Sequence, residues 1–99
     1  MATQTVRVVA RILARSGQIE ALRAILLELV EATRKEDGWI SYLLLQNRAD
    51  STDFTFVEEW ASDEAIDAHL SSLHLQDAIA KAQSMFAAPP DIRRYSAIA

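Results

Sequence analysis

Hydrophobic residues repeat at two different periods along this 99-residue chain, and the order of those periods restricts the fold. Alternation at every second residue is typical of strands, whereas spacings of three and four are typical of amphipathic helices. In chain order, these patterns predict a strand at 6–15, a helix at 17–36, strands at 39–46 and 54–60, a helix from 62 to Pro89, and a strand at 92–98. The order predicts an α+β, ferredoxin-like βαββαβ fold, in which a four-stranded antiparallel sheet carries both helices on one face. We expect a single domain over 1–99, with its core at about 5–98.

Local signals support these boundaries. Asp37-Gly38 is expected to end the first helix, and the polar run 47–53 to connect two strands as a hairpin. Ser62 offers a hydroxyl that can cap the second helix, while Ser71-Ser72 can break or bend it. The second helical pattern therefore contains one internal site at which its axis can change direction.

Composition excludes several classes of function. Ten Lys and Arg against 14 Asp and Glu give a net charge of −4, which argues against a nucleic-acid-binding surface. Without cysteine there is no disulfide, thiolate nucleophile or Cys-ligated metal. No uncharged apolar run approaches the roughly 20 residues of a membrane span. Residues 1–19 contain three arginines and no acid, as transit peptides do, but their strand-like alternation is favoured, and we expect a cytoplasmic protein.

The predicted fold leaves one face of its sheet without a helix. Val9, Leu13, Val57 and part of the apolar strand 39–46 would lie on that face. An exposed patch of this kind is costly, so we predict a homodimer in which the two sheets face each other. Three arginines are expected to pair with glutamates across its rim, namely Arg7, Arg11 and Arg15.

Three segments resemble the antibiotic biosynthesis monooxygenase family in order and spacing: Asp37–Tyr42, Phe54–Trp60 and Ala68–Leu75. The resemblance covers nearly the whole chain. It implies a dimeric α+β barrel with a pocket in each subunit between the sheet and the helices. It also implies quinol monooxygenase-like members that oxidise quinols or polyketide phenols without metal or flavin, although relatives include haem-degrading enzymes and isomerases.

The resemblance also implies which side chains form the site. The tryptophan that ends the family's third strand falls on Trp60, the glutamate two before it on Glu58, and the strand-two tyrosine on Tyr42. The histidines of the second helix fall on His69 and His74. The chain departs from the family pattern at two places. Gly38-Trp39 stands where members often have Gly-Cys or Gly-Phe, and Ile12 stands near the strand-one position at which haem-degrading relatives carry an asparagine. Haem degradation is therefore disfavoured.

The residues themselves suggest chemistry independently of the family. Strand parity places Phe54, Phe56, Glu58 and Trp60 on one sheet face, where a glutamate among aromatic rings needs a partner. One interpretation makes Glu58 or a histidine a base that takes a phenolic proton; the alternative pairs Glu58 with an arginine. His74 could titrate inside a pocket or instead bond a carbonyl at the helix junction.

The tryptophans and Tyr42 each have two interpretations. Trp60 could stack on a planar substrate, and Tyr42 could hold a substrate oxygen, but both could simply pack in the core. Trp39 could belong to the core or to a dimer contact.

The two histidines are five residues apart, which separates them by about 140° around a regular helix. A preformed two-histidine metal site is therefore disfavoured unless the helix breaks at Ser71-Ser72, and we expect neither metal nor cofactor. With only Gly17 and Gly38, the chain also has no glycine-rich phosphate loop, and no hydrolase triad is apparent.

These observations lead to a functional expectation. The chain is expected to be a cofactor-independent monooxygenase that oxidises a small aromatic quinol or polyketide-like phenol with O₂. The expected catalytic residues are His74, Glu58 and His69, and the expected substrate-binding residues are Trp60, Tyr42 and Phe56. The alternatives are a non-catalytic dimer that binds a small molecule and an isomerase of a small hydroxy-ketone.

Overall fold

The computed structural model describes residues 4–99 and confirms the predicted α+β, ferredoxin-like architecture. Its elements are β1 (Val6–Leu13), α1 (Ile19–Thr33), β2 (Trp39–Gln46), β3 (Asp53–Trp60), α2 (Asp63–Leu70), α3 (Leu73–Ala82), a 3₁₀ turn (Gln83–Met85) and β4 (Asp91–Tyr95). All paired strands are antiparallel, and the sheet order is β2-β3-β1-β4.

The core lies between the helices and one face of the sheet. Alternate residues of β1 and β3 point inward and are buried, among them Val8, Ile12, Phe54 and Phe56. The helix α1 contributes a stripe at helical spacing that packs on this face: Leu22, Leu26, Leu29 and Val30. The two periodicities in the sequence therefore meet in a single hydrophobic layer.

The second helical pattern is divided in two at Ser71-Ser72, as the sequence allowed. The Oγ of Ser62 accepts a hydrogen bond from the amide of Ala65 at 3.1 Å and caps α2. The Oγ of Ser72 accepts from the amide of Leu75 at 3.4 Å and caps α3. Because each short helix has its own capping residue, α3 takes a direction independent of α2.

The connection from α1 to β2 is pressed against α2. The helix ends at Thr33 rather than at residue 36, and the chain turns through Gly38, whose φ is +81°. A Cβ at Gly38 would lie 2.6 Å from the Cβ of Ala65, so only glycine fits both the backbone conformation and the space. This close approach fixes the loop that contains Glu36 against α2.

The other face of the sheet has no helix over it, as predicted. Val9 and Val57 are opposite each other in the register and Leu43 is opposite Val57, so the three form an apolar row across this face. Leu43 and Leu45, both on β2, are each about half exposed, at 52% and 49%. We call the side of the sheet that carries these residues the open face.

The three arginines that the sequence predicts at a dimer rim each have a partner within the chain. Arg7 lies 3.5 Å from Glu59, and Arg11 pairs with Asp53 at 3.1 Å, because β3 is the direct neighbour of β1. Arg15 donates to the carbonyl oxygen of Phe86.

The last strand also differs from its prediction, since β4 ends at Tyr95 instead of continuing to residue 98. All five residues of β4 are exposed, and Ile98 in the following tail is 98% exposed. Among the helices of residues 4–99, none has the length and apolar character that crossing a bilayer requires.

Candidate active site

A pocket lies between the inner face of the sheet and the three helices. Of the residues that line it, only Tyr42, Glu58 and His69 have polar side chains. The remaining lining is apolar and comes from every layer of the fold: Val8, Ala10, Ile12, Leu26, Leu29, Phe56, Ile66, Leu70, Leu75, Ala78, Ile79, Ala82, Phe86, Pro90 and Ile92. Ile79 and Ile92 are the most exposed of these, which places the mouth of the pocket between α3 and β4.

Glu58 is buried on β3, and its partner is a tryptophan. Its Oε1 accepts a hydrogen bond from the Nε1 of Trp60 at 2.8 Å, and its exposure is 4%. Within residues 4–99 no arginine lies at ion-pair distance from Glu58, so the predicted arginine partner is wrong. Burial raises the pKa of this carboxyl from 4.5 to about 7, and the charge of Glu36 adds to the rise. The hydrogen bond from Trp60 acts in the opposite direction and lowers the pKa.

Tyr42 lies on β2 opposite Glu58, with its ring packed among other rings. The ring centroid is 4.9 Å from that of Phe56 and 5.6 Å from that of His69. Burial raises the pKa of the Tyr42 hydroxyl far above its ordinary value, and the charge of Glu58 adds to this effect. The phenol is therefore held in its neutral, hydrogen-bonding form.

His69 is the buried imidazole of the pocket. Its Nδ1 lies 2.6 Å from the Oε2 of Glu36, and its ring stacks on Trp60 at a centroid distance of 4.7 Å. Burial lowers the pKa of His69, although the hydrogen bond to Glu36 acts in the opposite direction. With the Nδ1 proton donated to the carboxylate, Nε2 is the nitrogen that carries the free lone pair.

His74 does not line the pocket. It lies in the first turn of α3, where its Nε2 is 2.8 Å from the same Glu36 oxygen and its side chain is 32% exposed. It lines a separate groove on the outer side of the helices, together with Ile25, Glu28, Leu29, Ala32, Asp77, Ala78 and Lys81. His74 is thus connected by hydrogen bonds through Glu36 to His69 in the pocket.

The division of the second helix explains why both histidines reach one carboxylate. On a continuous helix their side chains would diverge, but the two capped helices meet at Ser72, whose Oγ donates to the carbonyl oxygen of His69 at 2.7 Å. The helix therefore breaks at Ser71-Ser72, which is the break that a two-histidine cluster requires. The Glu36 oxygen, His69 Nδ1 and His74 Nε2 all lie within 4.8 Å of one another.

Sequence reasoning missed Glu36, and the structure places Trp60 behind the residues that line the pocket. Glu36 was expected at the end of a helix, among several charged residues, whereas it lies in the loop that Gly38 presses against α2. Trp60 is fully buried, packs against His69 and donates to Glu58, and it is not among the residues that line the pocket. Tyr42, Phe56, Glu58 and His69, which the sequence suggested as site residues, all line the pocket.

Comparisons with known proteins are consistent with this architecture. A sequence model of the family described as antibiotic biosynthesis monooxygenase matches residues 5–81. The crystal structure of PA3566 from Pseudomonas aeruginosa superimposes with a TM-score of 0.92 at 28% identity, over 100% of this chain and 99% of that one. The structure of Rv0793 from Mycobacterium tuberculosis gives a TM-score of 0.89 at 28% identity, over 96% of each chain.

Sequence relatives extend the similarity. Rv0793, whose name describes a candidate monooxygenase, is 39% identical over 72 residues, which are 73% of this chain and 70% of the relative. The Synechocystis protein sll1783 is 29% identical over 66 residues, and the match spans 67% of this chain but only 45% of that longer protein. Since the family model covers most of the chain, this protein belongs to the antibiotic biosynthesis monooxygenase family.

Proposed function

We propose that this protein is a monooxygenase that oxidises a small aromatic quinol or polyketide-like phenol with O₂ and needs no bound cofactor for that reaction. One observation carries the proposal: the pocket is apolar except for a buried phenol, carboxyl and imidazole, from Tyr42, Glu58 and His69. Such a lining suits a planar apolar molecule with a few oxygens, because any polar group of the pocket or of the ligand that stays without a hydrogen-bond partner would weaken binding.

The first step of the proposed reaction is removal of a phenolic proton. The Nε2 of His69 is the available base, since Nδ1 is engaged by Glu36 at 2.6 Å. Glu36 acts as a positioning residue that fixes the tautomer of His69. The hydrogen-bonded series His69, Glu36, His74 ends in the outer groove, and it offers the abstracted proton a route from the pocket to the surface.

The substrate itself supplies the electrons. A phenol anion and O₂ form a carbon–oxygen bond, the ring carbon loses its hydrogen, and the oxygen–oxygen bond breaks to leave a quinone oxygen and one water. For a phenol with a free ring position, phenol plus O₂ gives quinone plus water, so no external reductant is needed. Glu58 lies in the same pocket and, with a pKa of about 7, can donate the proton that the departing oxygen requires.

We further propose that two chains pair through the open face. The apolar row of Val9, Val57 and Leu43 is continuous across three strands, and sheet-to-sheet packing would remove it from water. Light scattering is then expected to return twice the chain mass of 11.0 kDa. Leu43→Glu should shift that mass to a single chain, and a wild-type mass of 11.0 kDa at micromolar concentration would contradict the pairing.

The function is tested by incubating the protein with a panel of quinols and phenols while O₂ uptake and product mass are measured. His69→Gln and Glu58→Gln should each reduce the oxygenation rate about 100-fold or more, the size typical of a lost general acid or base. Glu20→Gln is the matched control, because that carboxylate is 86% exposed on α1 and distant from the pocket. Equal rates for all three variants would refute the proposed roles.

The same assay separates the two alternative functions. A non-catalytic binding protein would bind members of the panel, detected by a change in tryptophan emission, without any O₂ uptake. A hydroxy-ketone isomerase would convert its substrate at unchanged mass and without oxygen. Either result, obtained across the panel, would overturn the monooxygenase proposal.

A further inference from the structure

Glu36, His69 and His74, of which His69 alone lines the pocket, form a cluster whose composition is that of a metal site. One carboxylate oxygen and two imidazole nitrogens lie within 4.8 Å of one another, and they come from the α1–β2 loop, α2 and α3 respectively. We propose that this cluster binds a single first-row transition-metal dication, for which Zn²⁺ is the test ion. Two nitrogen donors and one oxygen favour such ions over Ca²⁺ or Mg²⁺, which prefer all-oxygen sites.

To accept the ion, the three ligand atoms must change their distances from one another. Zn–N and Zn–O bonds are about 2.0–2.2 Å, so ligand atoms around a tetrahedral ion lie about 3.3 Å apart. The two nitrogens are now 2.6 Å and 2.8 Å from the Glu36 oxygen, because they donate hydrogen bonds to it. Replacing those protons by an ion lengthens the two oxygen–nitrogen distances by about 0.5–0.7 Å and brings the two nitrogens, now within 4.8 Å of each other, to about 3.3 Å. Glu36 lies in a loop and His74 is partly exposed, so both can accommodate the shift.

Local charge favours a cation at this place. The carboxylate of Glu36 is the hydrogen-bond acceptor that the two histidines share. Across residues 4–99, Glu36 has no lysine or arginine at ion-pair distance. A divalent ion would supply a positive charge beside this carboxylate.

The ion also has a route of entry and a place for water. His74 lines the outer groove between α1 and α3, which also carries the acidic side chains of Glu28 and Asp77. A cation can therefore reach the cluster from solvent without passing through the pocket. The fourth ligand position would face this groove and could hold a water molecule.

Metal binding would change what His69 presents to the pocket. An ion on Nδ1 requires the ring proton to sit on Nε2, so the imidazole becomes a hydrogen-bond donor toward the pocket and loses its basic lone pair. If the proposed oxygenation holds, Zn²⁺ is expected to inhibit it. This consequence alone rests on the proposed function; the binding site itself does not.

The binding test uses the full chain, free of any histidine tag and of substrate, titrated calorimetrically with ZnCl₂. We expect one Zn²⁺ per chain, and Glu36→Gln and His74→Gln should each weaken binding about tenfold or more. Asp77→Asn is the control, because it removes a charge from the same groove without removing a proposed ligand, and its affinity should remain within a few-fold of wild type. Absence of saturable binding, or equal affinity in Glu36→Gln and wild type, would overturn the site.

A second measurement needs no variant and so remains valid if a substitution impairs folding. The chain has only two histidines, so their ring nitrogens give a simple two-residue ¹H–¹⁵N spectrum. Zn²⁺ should shift the Nδ1 resonance of His69 and the Nε2 resonance of His74, each at one equivalent. Shifts confined to His74 would indicate surface binding and would refute the three-ligand site.

Discussion

Replacement of Glu58 by glutamine should stabilise the protein by an amount that depends on pH. Burial raises the pKa of Glu58 from 4.5 to about 7 in the folded chain. Between these two values the folded state holds a proton that the unfolded state has released, so the free energy of unfolding falls as pH rises. The contribution of the neutral Glu58 carboxyl to the free energy of unfolding is fully present below about pH 4.5 and is lost as the pH rises through about 7.

The magnitude follows from the difference between the two pKa values. At about 1.4 kcal/mol per pH unit, the interval from 4.5 to about 7 amounts to about 3 kcal/mol. Glutamine does not titrate, and its amide oxygen can still accept the hydrogen bond from Trp60. The unfolding free energy of Glu58→Gln minus that of wild type should therefore rise by about 3 kcal/mol between pH 4.5 and 8.

Urea unfolding of both proteins at several pH values, at one protein concentration and in buffer with chelator, measures this difference. Effects of other titrating groups, including His69, are shared by both proteins and largely cancel in the subtraction. Glu20→Gln, which alters an exposed carboxylate, should show a difference from wild type that is nearly independent of pH. A flat difference for Glu58→Gln would refute the reasoning that burial keeps this carboxyl protonated.

Three further substitutions test the parts of the fold that position the site. Gly38→Ala should lower the free energy of unfolding by about 1–3 kcal/mol in urea titrations, because φ at this position is positive and the new Cβ would contact Ala65. A loss below roughly 0.5 kcal/mol, which is the scatter of surface substitutions, would contradict the close approach. Ser72→Ala removes the cap of α3 and should cost about 1 kcal/mol in the same assay. Leu22→Ala should lower the thermal midpoint and cost about 2–5 kcal/mol, whereas Leu27→Ala, at a position 49% exposed, should cost far less.

The sequence predicted side-chain directions correctly where a regular hydrophobic period determines them. Alternation along β3 predicted that Phe56, Glu58 and Trp60 point to the same side, and all three are buried on the helix-covered face. Strand parity cannot say which inward residue borders a cavity, because that depends on what the helices leave unfilled. Phe56 and Glu58 border the pocket, while Trp60 is covered by His69.

The site was less predictable where it depends on non-periodic segments. The meeting of His69 and His74 depends on the angle between two short helices, which a Ser-Ser sequence allows but does not specify. Glu36 joins them only because Gly38 brings its loop against α2. No spacing rule connects a loop carboxylate to histidines 33 and 38 residues later in the chain.

The position of Trp60 gives the protein a built-in optical reporter. Its indole stacks on His69 and donates to Glu58, so the fluorophore is in contact with two of the groups whose ionisation or ligation defines the site. Because the side chain is completely shielded from solvent, quenchers dissolved in bulk water should hardly reach it. Tryptophan emission can then report events in the pocket in real time, and a Trp39→Phe background would leave Trp60 as the only tryptophan.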